Sequence, residues 1–308
     1  MVFWKTYPIK NIVSSYFNKE VFKDLQFEKE TIYDIKILHR DIESIREIKQ
    51  FIKTNFGGPT KPVLDIPEDT LYNDKDVILY VKDVEIIGCI RYHYIGLLLD
   101  KEIYCVDCFC IHPLWRKKGI GDVLLTKLHN YVNKNKIPYS IFLKEGHPLH
   151  IIVTPLYSGT YVYRKIDHSN IRNVSNVSID NAYKLMDIYN EFNPIFIIKH
   201  KENTNQHWRL YTNGSYKVLA CIQDTYQYLH EKKMGWITAW LESPITEEER
   251  KEASIQISNS LYDTFHYIWG NKKWIGNSTD WIEDGTFHWY SHQWTTSIPI
   301  KNSYCILT

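Results

Sequence analysis

The sequence predicts an α+β protein of two halves, because one order of helices and strands occurs twice along the chain. Three observations support this reading. A β-favouring apolar run, Tyr104 to Ile111, gives way at His112-Pro113 to a basic, glycine-bearing turn. An amphipathic helix follows, with Val123, Leu124, Leu125, Leu128, Tyr131 and Val132 on one side. The second half repeats the order of elements without a readable sequence repeat. Finally, 308 residues at 44% hydrophobic content can fill a sizeable core, as one large domain or two of ordinary size.

The elements follow from pattern and punctuation. Phe3 to Pro8 is aromatic and ends in an extended X-Pro unit. Helical spacing is expected over 12–22 and again over 41–55, where Gly57-Gly58-Pro59 stops the helix. Strands are expected over 77–81, 86–94 and 104–111, then near 139–143, 151–153 and 159–164. The polar stretch 167–180 reads as a linker, dividing a first half (1–166) from a second (181–308). After it come a helix over 182–192 and strands over 208–211, 216–223 and 236–241. Thr246 opens the next helix with a capping box closed by Glu249, and Glu247 and Glu248 suit its positive end. Its expected buried stripe is Ala253, Ile257, Leu261, Phe265 and Ile268. Asp284-Gly285 reads as a turn before a strand over 287–294 that puts Trp289, Tyr290 and Trp294 in the core, and a last strand covers 304–307.

The junction from Tyr104 to Val132 carries the clearest chemistry. At a helix N-terminus, unpaired N–H groups and the positive end of the dipole converge, and glycine lets a phosphate approach the main chain. Arg116, Lys117 and Lys118, with Gly119, Ile120 and Gly121, therefore form an anion site of the Arg-x-x-Gly-x-Gly type. The second helix, opened by Thr246, has no basic Gly-x-Gly turn before it, so only the first half is expected to take a phosphate.

Composition removes other classes. With 37 Lys+Arg against 36 Asp+Glu the net charge is +1, which gives no global attraction to nucleic acid. No basic-then-apolar leader opens the chain and no apolar run is long enough to span a bilayer, so a cytoplasmic protein without stable membrane insertion is expected. Cys105, Cys108 and Cys110 lie within an apolar strand and lack a partner pair at zinc spacing, so reduced core thiols are expected rather than a metal site.

Three separated motifs, taken together, resemble one family, the eukaryotic N-myristoyltransferases, which are two fused halves of the acyl-CoA N-acyltransferase (GNAT) type. Phe3-Trp-Lys-Thr-Tyr-Pro-Ile9 is similar to the family's Phe-Trp-x-Thr-Gln-Pro-Val signature. Cys108-Phe-Cys-Ile-His-Pro-Leu-Trp-Arg-Lys-Lys-Gly-Ile-Gly121 resembles its Phe-Leu-Cys-Val-His-Lys-Lys-Leu-Arg-Ser-Lys-Arg-Leu-Ala segment, with Cys110, His112, Arg116 and Lys118 identical. Asp284-Gly-Thr-Phe-His-Trp-Tyr-Ser-His-Gln-Trp294 resembles its Asp-Gly-Asn-Leu-Gln-Tyr-Tyr-Leu-Tyr-Asn-Trp, and Pro155, Gly159, Thr160 and Tyr163 echo its Pro-x-x-x-Gly-Thr-x-x-Tyr. The matches occur in family order. The chain departs from the family in two places. Asn55-Phe-Gly-Gly-Pro-Thr60 stands where the family has an acidic, Tyr-rich loop near the peptide site, and Gly119 and Gly121 replace Arg and Ala.

The resemblance implies two GNAT-like halves, each a twisted mixed sheet flanked by helices, related by a pseudo-twofold. It also implies transfer of a myristoyl group from myristoyl-CoA, a co-substrate rather than a tightly bound cofactor, to the N-terminal glycine amine of peptides or proteins by a monomeric enzyme. The family's backbone oxyanion hole maps to Cys108 and Phe109, and its base, the terminal carboxylate, maps to Thr308. CoA contacts map to Val2, Phe3 and Trp4, to Cys110 and Ile111 on the strand, and to Arg116, Lys117, Lys118, Gly119, Ile120 and Gly121. The amine is itself the nucleophile, so neither a nucleophilic side chain nor a metal is required, and activity is expected to survive EDTA. The alternatives are a GNAT N-acetyltransferase acting on another amine and a catalytically degenerate acyl-CoA-binding protein.

Overall fold

The computed structural model describes residues 33–292 and 304–305, without 39–40, 58–61, 99, 138, 150–154, 169–170, 194, 201–202, 215 and 277. The expected helix over 12–22, the strand over 151–153, and Val2, Phe3, Trp4, Trp294 and Thr308 lie outside the described residues.

In chain order the elements of the first half are β1 (Ile35–Ile37), α1 (Ile42–Asn55), β2 (Val63–Leu64), α2 (Glu68–Leu71), β3 (Val77–Lys82), β4 (Ile86–Leu98), β5 (Lys101–Ile111), α3 (Ile120–Lys134), β6 (Ser140–Glu145) and β7 (Tyr157–Lys165). Then come β8 (Val174–Asn176), α4 (Ile179–Phe192), β9 (Gln206–Asn213), β10 (Tyr216–Leu229), β11 (Lys232–Glu242), α5 (Glu247–Asn259), β12 (Tyr267–Asn271), α6 (Lys272–Ile275), β13 (Ile282–His292) and β14 (Tyr304–Cys305). All fourteen strands belong to one mixed sheet.

Each half of the sheet is covered on both faces. Alternate residues of a strand point to opposite faces, and β3 divides accordingly. Val77, Leu79 and Val81 pack with Ile120, Leu124, Leu125 and Leu128 of α3. Ile78 and Tyr80 pack with Ile48, Phe51 and Ile52 of α1. The second half does the same: Leu219 and Cys221 meet Ala182, Tyr183 and Met186 of α4, while Val218, Ala220 and Ile222 meet Ala253 and Ile257 of α5.

The halves exchange strands. Running from β5 to β11, the order is β5-β6-β13-β7-β12-β11. Thus β13, from the end of the chain, lies between β6 and β7, and β7 reaches across to pair with β12. In each half the parallel pair that flanks a crossover helix soon splays apart. β5 pairs β6 only over Tyr104–Val106 with Ser140–Phe142, and β11 pairs β12 only over Met234–Trp236 with Tyr267–Trp269. In the second half β14 pairs β11 beyond the splay, Cys305 opposite Ala239 and Tyr304 opposite Trp240.

Three expectations are corrected. The α5 helix stops at Asn259 rather than carrying its stripe through Ile268. Ser258 and Ser260 bond their hydroxyls back to Ser254 O and Ile257 O, and such local bonds compete with the helical ladder. Leu261, Phe265 and Ile268 are buried, from turns and from β12. Asp284-Gly285 is not a turn between elements but lies within β13 at a register shift between Glu283 and Thr286, where Gly285 takes φ +95°. The stretch 167–180 includes an edge strand, β8, paired to β9.

Candidate active site

The strand-turn-helix junction forms as the sequence expects. His112 accepts a bond at Nδ1 from Leu114 N and so starts a 3-10 turn, Pro113–Trp115. Arg116 donates from Nε to Ile111 O, and the Tyr33 hydroxyl donates to Lys118 O. Lys117 and Gly119 both adopt the left-handed region, φ +64° and +84°, and Gly119 is the N-cap of α3. Because Gly119 supplies no capping side chain, the first N–H groups of α3 stay available to a ligand. Arg116, Lys117, Lys118 and Gly119 are exposed around them, Ile120 is buried, and Lys118 lies over the Trp115 ring at 4.5 Å. The acidic Asp122 also sits in this first turn. By contrast, the N-terminus of α5 is closed by its complete capping box and by three glutamates in its first turn.

On the strand side, Cys108 and Phe109 form a β-bulge. Cys89 pairs Cys110 and Arg91 pairs Asp107, so two residues of β5 oppose the single residue Ile90 of β4. Cys108 adopts φ +46°, and its carbonyl accepts from the Cys89 thiol at 3.4 Å. A bulge takes backbone groups out of the ladder and re-aims them, and here it sits beyond Val106, where β5 has parted from β6. The bulge and the basic turn touch: a Cβ on Gly121 would lie 3.0 Å from the tip of the Phe109 ring. Cys110 and Ile111 finish the strand opposite Cys89 and Gly88. Bulge, strand end and helix N-terminus are therefore contiguous from Cys108 to Gly121, with Cys108, Cys110 and Ile120 buried and Arg116 to Gly119 exposed.

Both thiols here are buried, which disfavours the thiolate. Burial raises the Cys108 thiol well above its usual range, with the Asp107 carboxylate adding to it, and burial pushes Cys110 up to about 12. What the bulge offers is main chain.

Sequence reasoning missed what lies on the other side of it. A cavity of about 360 Å³ runs from Asp107 and Cys108 past Leu143 and Glu145 to Tyr226, Trp236 and Trp269, so both halves line it. Buried Arg91 closes one wall, bound bidentately by Asp107 at 2.6 and 2.7 Å and donating also to Thr70 O and Leu71 O. Beside it Asp76 accepts from His93 and from Tyr94 N. The short β2 pairs with β10, joining the halves at this wall. Asp69, Asp107, Glu145 and Asp224 face the cavity; Arg91 holds Asp107 and Lys233 holds Asp224 at 2.5 Å, which leaves a lining acidic at Asp69 and Glu145 among the described residues and suited to a cationic or amine-bearing guest. The available signal was a charged residue in each of two apolar strands, Arg91 and Asp107. Among the described residues no group of His, Cys, Asp or Glu is arranged to hold a metal ion, and no helix is long and apolar enough to cross a membrane.

This geometry agrees with the comparisons. Residues 42–157 match the acetyltransferase (GNAT) family model. Saccharomyces cerevisiae N-myristoyltransferase with bound myristoyl-CoA superposes with a TM-score of 0.62 at 11% identity, covering 96% of this chain and 93% of that one. A structure of the same enzyme with myristoyl-CoA and inhibitors gives 0.62 at 10% identity, over 98% and 93% of the two chains. No curated protein matches the chain in sequence. The whole chain thus has the N-myristoyltransferase fold, as its motifs suggested.

Proposed function

We propose that the protein is an acyl-CoA-dependent N-acyltransferase that moves a long acyl group, myristoyl, from CoA to the N-terminal glycine amine of a peptide. The observation that carries this is the bulge at Cys108-Phe109, on a strand edge that β6 has left, between a helix N-terminus and a cavity shared by both halves. A pantetheine arm can bond to such an open edge as a strand does, with its pyrophosphate on the first turn of α3. Cys110, Ile111 and Arg116 to Gly121 would hold CoA, with Val2, Phe3 and Trp4 closing over it. The yeast structures that share this fold hold myristoyl-CoA.

In the reaction, the N–H groups of Cys108 and Phe109 polarise the thioester carbonyl and hold the oxyanion formed when the amine attacks. Loss of one such donor typically costs ~3–4 kcal/mol of barrier. The tetrahedral intermediate expels CoA thiolate, and the amine gives its proton to a base, for which we propose the carboxylate of Thr308. The direction of β14 supports this: it runs antiparallel to β11 with Cys305 opposite Ala239, and cavity-lining Trp236 lies three residues further along β11. In water an α-carboxylate near pKa 3.5 is a poor match for an amine near 8, a gap of about 6 kcal/mol. Enclosure raises the acid and lowers the amine.

The Gly119–Gly121 turn favours a second reading, an acetyltransferase. Mass spectrometry of untagged protein with Gly-initiated peptides and a mixture of acetyl-, palmitoyl- and myristoyl-CoA separates the two. A gain of one myristoyl group is expected; acetyl transfer alone would replace the reading by the second. Deleting Thr308 or extending the C-terminus should lower turnover sharply, and full activity in either variant would remove Thr308 from the mechanism.

A further inference from the structure

We infer that Gln223 reads an amide group of the acceptor, so that the cavity selects peptides by hydrogen bonding as well as by their amine; the inference rests on the acceptor being a peptide. Gln223 lies on β10, paired to Trp236 of β11, which in turn pairs Trp269 of β12. Paired residues project to one face of a sheet, and all three line the cavity. Gln223 is 2% exposed, and neither its Nε2 nor its Oε1 has a partner among the described residues. The indole N–H of Trp269 and the side-chain oxygen of Gln227, on the same cavity, are likewise without partners there.

A neighbour gives the contrast. Gln206, opposite Gln223 on β9 and 7% exposed, has its amide fully engaged. It donates to His200 O at 2.9 Å and accepts from Trp208 Nε1 at 2.8 Å. The fold therefore satisfies one buried carboxamide and leaves the adjacent one facing a void. A buried amide without partners opposes folding, which makes Gln223 costly unless a guest completes it. The open groups are two kinds of donor, the Gln223 amide and the Trp269 N–H, and two acceptors, the oxygens of Gln223 and Gln227. A carboxylate guest would be repelled by Asp69 and Glu145, since Asp107 and Asp224 are already paired to Arg91 and Lys233, and an ammonium would prefer a carboxylate to Gln223. What remains is a neutral group that both donates and accepts; an amide, from an Asn or Gln side chain or the peptide main chain, presents its N–H and C=O on separate atoms to match the Gln223 carboxamide, where a hydroxyl has a single proton on the same oxygen that accepts.

The test measures binding, separately from turnover. Gly-initiated hexapeptides carrying Asn, Gln, Ser or Leu at each internal position in turn are titrated calorimetrically into full-length protein saturated with a non-hydrolysable myristoyl-CoA analogue. Gln223→Leu should bind amide-bearing peptides at least tenfold more weakly while melting at the same or a higher temperature. A purely structural role would lower the melting temperature instead. Gln223→Met, closer in shape, serves if the leucine variant does not fold. Weakening confined to Asn or Gln at one position assigns the side chain, and equal weakening of every peptide assigns the main chain. Unchanged affinities in the variant, weakening confined to Ser peptides, or no peptide binding by the unmodified protein would overturn the inference. Peptide binding of this kind, with no transfer once myristoyl-CoA itself replaces the analogue, would overturn only the function proposed above.

Discussion

Arg91 and Asp107 hold the Cys108-Phe109 bulge from below. Arg91 is buried on β4, Asp107 is the residue of β5 immediately before Cys108, and the two guanidinium–carboxylate bonds fix the strands where the bulge begins. Removing one member of such a pair leaves an uncompensated charge, which for buried pairs costs ~3–5 kcal/mol. Asp107 is partly exposed, so Arg91→Met should sit near the lower end, about 3 kcal/mol by chemical denaturation. Adding Asp107→Leu should recover much of that stability but not activity, because the bulge has lost its anchor. At the turn, Gly121 is the point where helix and bulge meet. A valine there presses on the Phe109 ring, and overpacking of this kind costs ~1–3 kcal/mol. We expect Gly121→Val to weaken acyl-CoA binding about tenfold, ~1.4 kcal/mol, in a direct binding assay. The residues from Cys108 to Gly121 were legible because strand, turn and helix are consecutive, so local rules suffice. Gln223 and Arg91 were not, since their meaning depends on which distant strands stand beside them.

Among the elements, helices and strands announced themselves through period and punctuation, and Thr246 caps its helix as expected, while Asp41 and Ser178 cap theirs as the structure shows. The pieces that escaped are short. β2 and α6 have two and four residues, too few to show a period, and tertiary pairing makes them. The seam between β6 and β13 carries a pH dependence. His292 ends β13 opposite Ser140 of β6, with the Ser140 hydroxyl against its Nδ1 and His129 of α3 nearby, ring centroids 6.0 Å apart. Burial first, and His129 second, lower the His292 pKa to about 3. The unfolded chain, near 6.5 at this group, then binds the proton that the folded chain refuses. Its stability contribution is full above pH ~6.5 and is lost as pH falls toward 3, at up to ~1.4 kcal/mol per pH unit. Urea melts between pH 7 and 4 should show this slope, and His292→Gln should flatten it; an unchanged slope would assign the acid sensitivity elsewhere.

At the scale of the molecule, two features distinguish the halves that share one plan. The gap where β5 leaves β6 opens onto the cavity, whereas along β11, beyond its splay from β12, β14 is paired. A fold that repeats its architecture can thus leave one gap open and fill the other with its own chain, just as one helix end lacks a capping side chain and the other is capped and acidic. The second feature is the exchange of β7 and β13. No periodicity in the sequence foretells it, because an exchanged strand has the same pattern as one that stays at home. Its consequence is testable. A fragment of residues 1–166 would leave β6 and β7 without the strand that lies between them, and a fragment of 167–308 would leave β12 without β7 and carry β13 unpaired. Phe287, Trp289 and Tyr290, buried in the intact chain, would then face water, as would the open strand edges that invite aggregation. Each fragment alone should therefore lack native near-UV circular dichroism and associate on gel filtration. Co-expressed, they should return as a one-to-one complex with the intact protein's spectrum. A well-folded, monomeric 1–166 fragment would instead show that the exchanged strands decorate two self-sufficient domains, and the cavity between the halves would then be an interface able to open.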